Sequence, residues 1–248
     1  LVVNWNPKDL KGVVWKKPLP FLQEDRVTRW LCRGLTAWAG RLILNIEGVE
    51  HITPDKDPFV LTANHNHRLE AVLFPSLLAY LREGKLIGFL SDWHWMVVPL
   101  IGNVFRRSQA IPILEKSARL KWMNRFKKKL DTGQRPDDLA IQRLRSGHSI
   151  GIFPEGRMNR DPGHLLRGYR GAALIAMQAR TPIVPVGIRF PFVNPQGKIG
   201  DTAKMTITIG QAFSPHAGFD SADQLHHHIM EQIATLSGKR WSPEARKR

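Results

Sequence analysis

Residues 58–81 read PFVLTANHNHRLEAVLFPSLLAYL. A short apolar run closes on Asn64-His65-Asn66-His67, and a second apolar pattern begins around Glu70. The first part has the length and composition of a strand, and the part from Arg68 onward reads as a helix. A strand passing through a polar turn into a helix is the repeating unit of a sheet with helical connections. The same turn gathers His65, His67 and Glu70, so the stretch that points to the fold also raises the question of chemistry.

The alternation continues on both sides. LILNIEGV (42–49), KLIGFLS (85–91), AIPIL (110–114), SIGIF (149–153), PIVPVGI (182–188) and MTITIG (205–210) are strand candidates. HWMVVPLIGNVFRR (94–107) and DDLAIQRLRSG (137–147) read as helices, the second with Gly147 where a C-terminal cap belongs. The fold class expected is α/β, a mainly parallel or mixed central sheet flanked by helices. Upstream, EDRVTRWLCRGLTAWAGRLIL (24–44) is an amphipathic helix. At about 100° per residue, Val27, Trp30, Leu31, Leu35, Trp38 and Leu42 share one face, with Arg26, Arg29 and Arg33 opposite. That face is expected to pack on the core; two tryptophans flanked by arginines also suit a membrane interface.

The 248 residues carry a formal net charge of +16, which favours anionic partners: phosphate, anionic lipid or an acidic carrier. Cys32 is the single cysteine, so no internal disulfide forms, in keeping with a reducing compartment. No run reaches the roughly 18 apolar residues of a spanning helix, and the first residues show no signal-peptide pattern. The segment SARLKWMNRFKKKL (117–130) and the tail GKRWSPEARKR (238–248) are basic; the tail is expected to be disordered.

Three chemistries compete for the polar motifs. A zinc site at His65 and His67 lacks the third histidine such sites require nearby, and no metal is expected. His226, His227 and His228 are consecutive on a helical pattern, about 100° apart, and cannot chelate together. Gly147-His148-Ser149-Ile150-Gly151 fits G-x-S-x-G, but a nucleophile elbow needs a strand before the serine and a helix after it, and here the order is reversed. His65 and Glu70 form an acid–base pair only if His65 sits in the turn and Glu70 in the first helical turn, reaching back. A carboxylate on one imidazole nitrogen then fixes the tautomer and leaves the other nitrogen to take a proton.

Further along, GIFPEGRMNR (151–160) puts Glu155 and Gly156 directly after a strand, with Arg157 and Arg160 following, a turn suited to an anion. Asn64-His65 through Glu70, a basic region near Gly102 to Lys116, Phe153-Pro154-Glu155-Gly156, and the Pro182–Gly187 strand occur in that order. Together they resemble the four blocks of the glycerolipid acyltransferase family, the 1-acylglycerol-3-phosphate acyltransferases and their relatives, over roughly residues 45–210. Glu70 stands where that family usually has aspartate, as in a related lipid-A branch; Arg157 replaces its threonine and Met158 its arginine. Arg106, Arg107 and Lys116 compete for the basic role of the second block.

The resemblance implies one acyltransferase domain over 1–248: an N-terminal amphipathic segment (1–44), a catalytic core (45–213), and a C-terminal helix with a basic tail (214–248). It implies transfer of an acyl chain from acyl-CoA or acyl carrier protein to a hydroxyl of a lysophospholipid, without cofactor. His65 would be the general base oriented by Glu70, and Glu155, Gly156, Arg157 and Arg160 would shape the acceptor site. The expected setting is the cytoplasmic face of a membrane bearing anionic lipid. A non-catalytic basic protein binding membrane or nucleic acid is the rival from another class; it accounts for the charge but not for FPEG or the histidine–glutamate pair. A serine hydrolase using Ser149 is the other alternative.

Overall fold

The structure is a computed structural model and describes residues 10–98, 101–115, 121–131 and 133–244. Within them, β1 (Ile43–Glu47), β2 (Val60–Ala63), β3 (Gly88–Asp92), β4 (Ile111–Ile113), β5 (Ile150–Ile152), β6 (Ile183–Arg189) and β7 (Met205–Ile209) form one sheet, ordered β1-β7-β6-β2-β5-β3-β4. The strands β6, β2, β5, β3 and β4 run parallel, β7 is antiparallel to β6, and β1 is parallel to β7. The helices are α1 (Leu10–Lys16), α2 (Arg26–Ala39), α3 (Glu70–Leu81), α4 (Ile101–Arg107), α5 (Lys127–Leu130), α6 (Pro136–Arg145), α7 (Gly171–Ala179) and α8 (Ala222–Ser237). The fold class is the one read from the sequence, a mixed sheet with helices on both faces.

The central strands are apolar throughout because both faces are covered. Leu61, Val184 and Val186 share a core cluster with Cys32 of α2 and Leu73 and Leu77 of α3. Val60, Ile150 and Ile183 point to the other cluster, with Ala140 of α6, Ala173 of α7 and Ile229 of α8. Each strand candidate has its place in the sheet. The end of α6 also follows the sequence: Gly147 has φ +81°, Gly147 N–H donates to Leu144 O and His148 N–H to Arg143 O, which together cap the last turn.

Three expectations are corrected. The fully buried residues of α2 are Thr28, Cys32, Thr36 and Ala39; of the expected face, Leu35 and Leu42 do pack on the core, whereas Val27, Trp30 and Trp38 are exposed. Small side chains win here because they admit a close approach to α3: Thr36 Oγ1 lies 3.2 Å and Cys32 Sγ 3.4 Å from the carbonyl oxygen of Ser76. The helix expected over 94–107 is split into a 3-10 turn, Trp93–Val97, and α4, because Val98, which precedes Pro99, is extended at ψ 127°. The described part of the tail, 238–244, is packed on the protein: Arg240 N–H donates to Gly163 O, Leu165 N–H donates to Arg240 O, and Trp241 Nε1 donates to Arg167 O, while 245–248 lie outside the described residues. Backbone pairing of this kind removes the freedom that its charge alone would leave it.

Candidate active site

β2 and β5 are parallel neighbours, so the residues that follow them, 64–70 and 153–160, emerge side by side at one edge of the sheet. Carboxyl-terminal strand edges are where open α/β sheets gather their functional groups. Asn64 fixes the first loop to the sheet: its amide donates to Ile188 O (2.9 Å) and accepts from Ile188 N–H (2.8 Å). Gly156 shapes the second loop with φ +67°, a left-handed conformation that costs glycine little, and a Cβ there would meet the Tyr169 ring at 2.7 Å.

Glu70 opens α3 and turns its carboxylate back over the loop. Oε2 lies 3.0 Å from His65 Nδ1 and accepts from the backbone N–H of Asn66 (2.6 Å) and His67 (3.4 Å); Oε1 accepts from the Asn66 side chain (3.0 Å). Burial pushes this carboxyl up, but the His65 hydrogen bond and the neighbouring imidazoles and N–H groups outweigh it and hold it below its ordinary value. An ionised Glu70 requires the proton on Nδ1 of His65, which leaves Nε2 with its lone pair. The His65 side chain keeps 14% of its exposure against 1% for Glu70, so the ring meets solvent while its partner does not. Phe153 stacks on the imidazole, with centroids 4.5 Å apart.

The second loop holds the first. Glu155 accepts from His65 N–H (3.2 Å), Leu166 N–H (2.9 Å) and Asn159 Nδ2 (2.8 Å), and Asn159 N–H donates to His65 O (2.7 Å). Glu155 is buried, which raises its carboxyl despite those donors. Its carboxylate faces protein donors, so it pins the backbone of His65. Arg157 is exposed beside Gly156 with no charged partner among the described residues. Arg160 is tied to Asp201 (2.6 Å) and Ile199 O (2.8 Å). In the second block, Arg106 donates to Met96 O (3.0 Å), while Arg107 pairs with Asp25 (2.9 Å), the N-cap of α2. Lys116 lies outside the described residues. Direct contacts thus join His65, Glu70 and Glu155; Arg106 and Arg107 are engaged elsewhere.

The other motifs separate from this cluster. Ser149 precedes β5, at the opposite end of the strands from His65, where it is buried, bonded to the Asp57 carboxylate, and accepts from Phe59 N–H at 3.0 Å. His67 is fully buried against Phe190, and burial holds its imidazole below the ordinary value. His226 lies 3.1 Å from Arg167 O and shares the Trp241 ring with His227, whereas His228 packs against Phe213 and Phe219, so His228 is turned away from the other two. Three residues of the cluster were not singled out from the sequence: Asn66, although it stands inside the opening stretch, Asn159, and Lys239, whose Nζ donates to Asn66 Oδ1. The amide next to the catalytic candidates could have flagged Asn66; nothing local marks Lys239.

The profile of the Acyltransferase family matches residues 43–189. The chain belongs to the acyltransferase family. Over 145 residues it is 28% identical to the chloroplastic 1-acyl-sn-glycerol-3-phosphate acyltransferase of Arabidopsis thaliana, covering 58% of the chain and 35% of that protein. Over 88 residues it is 35% identical to the human 1-acyl-sn-glycerol-3-phosphate acyltransferase beta, covering 35% of the chain and 31% of that protein. The chain spans about a third of the length of the curated relatives it matches. Its fold resembles the crystal structure of the 1-acyl-sn-glycerophosphate acyltransferase from Thermotoga maritima, with a TM-score of 0.60 at 21% identity over 94% of this chain and 90% of that one.

Proposed function

We propose that the chain transfers an acyl group from a thioester, acyl-CoA or acyl carrier protein, to a hydroxyl of a lysophospholipid such as 1-acylglycerol-3-phosphate. The observation that carries this reading is the His65–Glu70 pair at the strand edge, with the imidazole partly open to solvent and the carboxylate buried. His65 Nε2 takes the acceptor's hydroxyl proton as that oxygen attacks the thioester carbonyl. The tetrahedral intermediate collapses with cleavage of the carbon–sulfur bond, and the imidazolium returns its proton to the departing thiolate. Glu70 orients the ring and stabilises the imidazolium; general base catalysis of this kind contributes about 100- to 10,000-fold. The thioester is already activated, so the mechanism needs no covalent enzyme intermediate and no cofactor.

Arg157, exposed and without a charged partner among the described residues, is the cation we assign to an acceptor phosphate in preference to Arg160, which Asp201 already balances. Docking to anionic lipid would use the exposed residues of the N-terminal helices: Trp15 and Trp30 lie with ring centroids 6.4 Å apart, and Trp30 is 63% exposed. No helix among the described residues is long and apolar enough to cross a membrane. The exposed tryptophans support a peripheral position at a membrane, which we assign to the cytoplasmic face as part of this proposal.

The deciding experiment incubates the chain with labelled acyl-CoA or acyl carrier protein and a panel of lysolipids, with mass spectrometry of the products. Transfer by the wild type that disappears in His65→Ala and persists in Ser149→Ala supports the assignment. An acyl-serine trapped at Ser149, or full activity in His65→Ala, overturns it.

A further inference from the structure

The tertiary fold brings one more charged group to the cluster, from beyond the segment matched by the family profile. Lys239, just after the Gly238 cap of α8, is 6% exposed. Its Nζ donates to Asn66 Oδ1 (2.5 Å) and to the backbone oxygen of Asp161 (2.7 Å). The other end of the Asn66 amide donates to Glu70 Oε1 (3.0 Å), and Glu70 Oε2 meets His65 Nδ1 at 3.0 Å. Lys239, Asn66, Glu70 and His65 are thus linked in one continuous hydrogen-bonded series. We propose that Lys239 is a positioning residue for the transfer reaction, acting through Asn66 to hold Glu70, and with it the His65 ring, in the geometry that accepts a proton. This rests on the reading of His65 and Glu70 given above.

Two physical arguments lead there. A primary amide can turn over, and its two ends demand opposite partners. With Oδ1 receiving the Lys239 ammonium and the Asn64 amide (3.2 Å), Nδ2 is committed to Glu70. Without the ammonium, one restraint on that orientation is lost, and a turned amide would present oxygen to a carboxylate. The second argument is charge. Lys239 attracts Glu155 first, then Glu70 and Asp161, while burial pulls its own ionisation down. A cation opposite Glu155 leaves the Glu70 carboxylate to serve the imidazolium. A buried lysine held solely for stability is poorly motivated, because an apolar side chain of similar length would avoid the desolvation cost.

The test uses the full chain and measures kcat and KM separately for donor and acceptor, with thermal melts and circular dichroism to verify folding. Lys239→Met keeps the aliphatic stem and removes the ammonium; it should lower kcat about 10- to 100-fold with both KM values nearly unchanged. Lys239→Arg should recover part of that loss. Because the effect runs through Asn66, Asn66→Ala/Lys239→Met should be hardly worse than Asn66→Ala. Wild-type kcat in folded Lys239→Met, an effect confined to KM, or losses that multiply in the double variant would overturn the proposal. If Lys239→Met fails to fold, Asn66→Asp decides: it keeps an acceptor for Lys239 but loses the donor to Glu70, so kcat should fall, and an unchanged kcat refutes the linkage. His65→Ala in the same assay separates the two ideas. Full activity there sinks the base assignment, whereas an inactive His65→Ala beside a fully active Lys239→Met sinks only the role of Lys239.

Discussion

At the scale of residues, Glu70 is the side chain in which stability and the proposed chemistry meet. Its carboxyl is held below the ordinary value of 4.5, so the folded state binds its proton less readily than the unfolded chain does. The stabilisation is therefore present above the unfolded value and is lost as pH falls through the lower, folded one. Urea melts should show Glu70→Gln less stable than wild type at neutral pH, with the gap narrowing as the solution is acidified. A gap that stays constant with pH would mean the carboxylate is not ionised in the fold. Arg157 and Arg160 differ in the same spirit. Asp201 neutralises Arg160, so Arg157→Ala should raise KM for a phosphorylated acceptor about tenfold, leaving the donor KM nearly unchanged. A larger acceptor effect from Arg160→Ala would move the phosphate site to that residue. His65 and Glu70 were legible as a pair because the turn that unites them is local. Glu155 was legible as important but not in its part, since a carboxylate that bonds the backbone of His65 looks in sequence like one that faces substrate.

At the scale of elements, the loop after β5 depends on Gly156. Its φ of +67° strains any L side chain by about 1 kcal/mol, and an added Cβ would also press on Tyr169. Gly156→Ala should lower stability by about 1–2 kcal/mol in denaturant melts and reduce acyl transfer further, because the same loop carries the pin on His65. Tyr169→Ala in that background should relieve only the contact and not the backbone strain; complete recovery would show that the clash alone mattered. The helix α2 teaches the reverse lesson. Its apolar stripe was plain in the sequence, but which face packs was decided by α3, where the Ser76 carbonyl lies within reach of Thr36 and Cys32.

At the scale of the whole molecule, the exposed tryptophans and the charge of +16 belong to one expected behaviour. Vesicle binding should rise with anionic lipid content and fall with salt, as each Lys or Arg near such a surface contributes about 1 kcal/mol and salt screens it. Trp30→Ser/Trp38→Ser should weaken the part that survives high salt, which sedimentation with vesicles measures. Binding indifferent to both lipid charge and salt would refute the electrostatic part. The sequence by itself determined the order of strands and helices, because hydrophobic period and turn chemistry are written within a few residues of where they act. It also raised the histidine–glutamate pair as a local possibility, which the turn between β2 and α3 closes. Tertiary structure alone decided which face of α2 is covered, where Arg107 spends its charge, and that Lys239 reaches Asn66 across 173 positions of chain. The last of these arises only once α8 lies against β6 and carries the segment after it to the strand edge, and no local pattern of residues encodes any of the three.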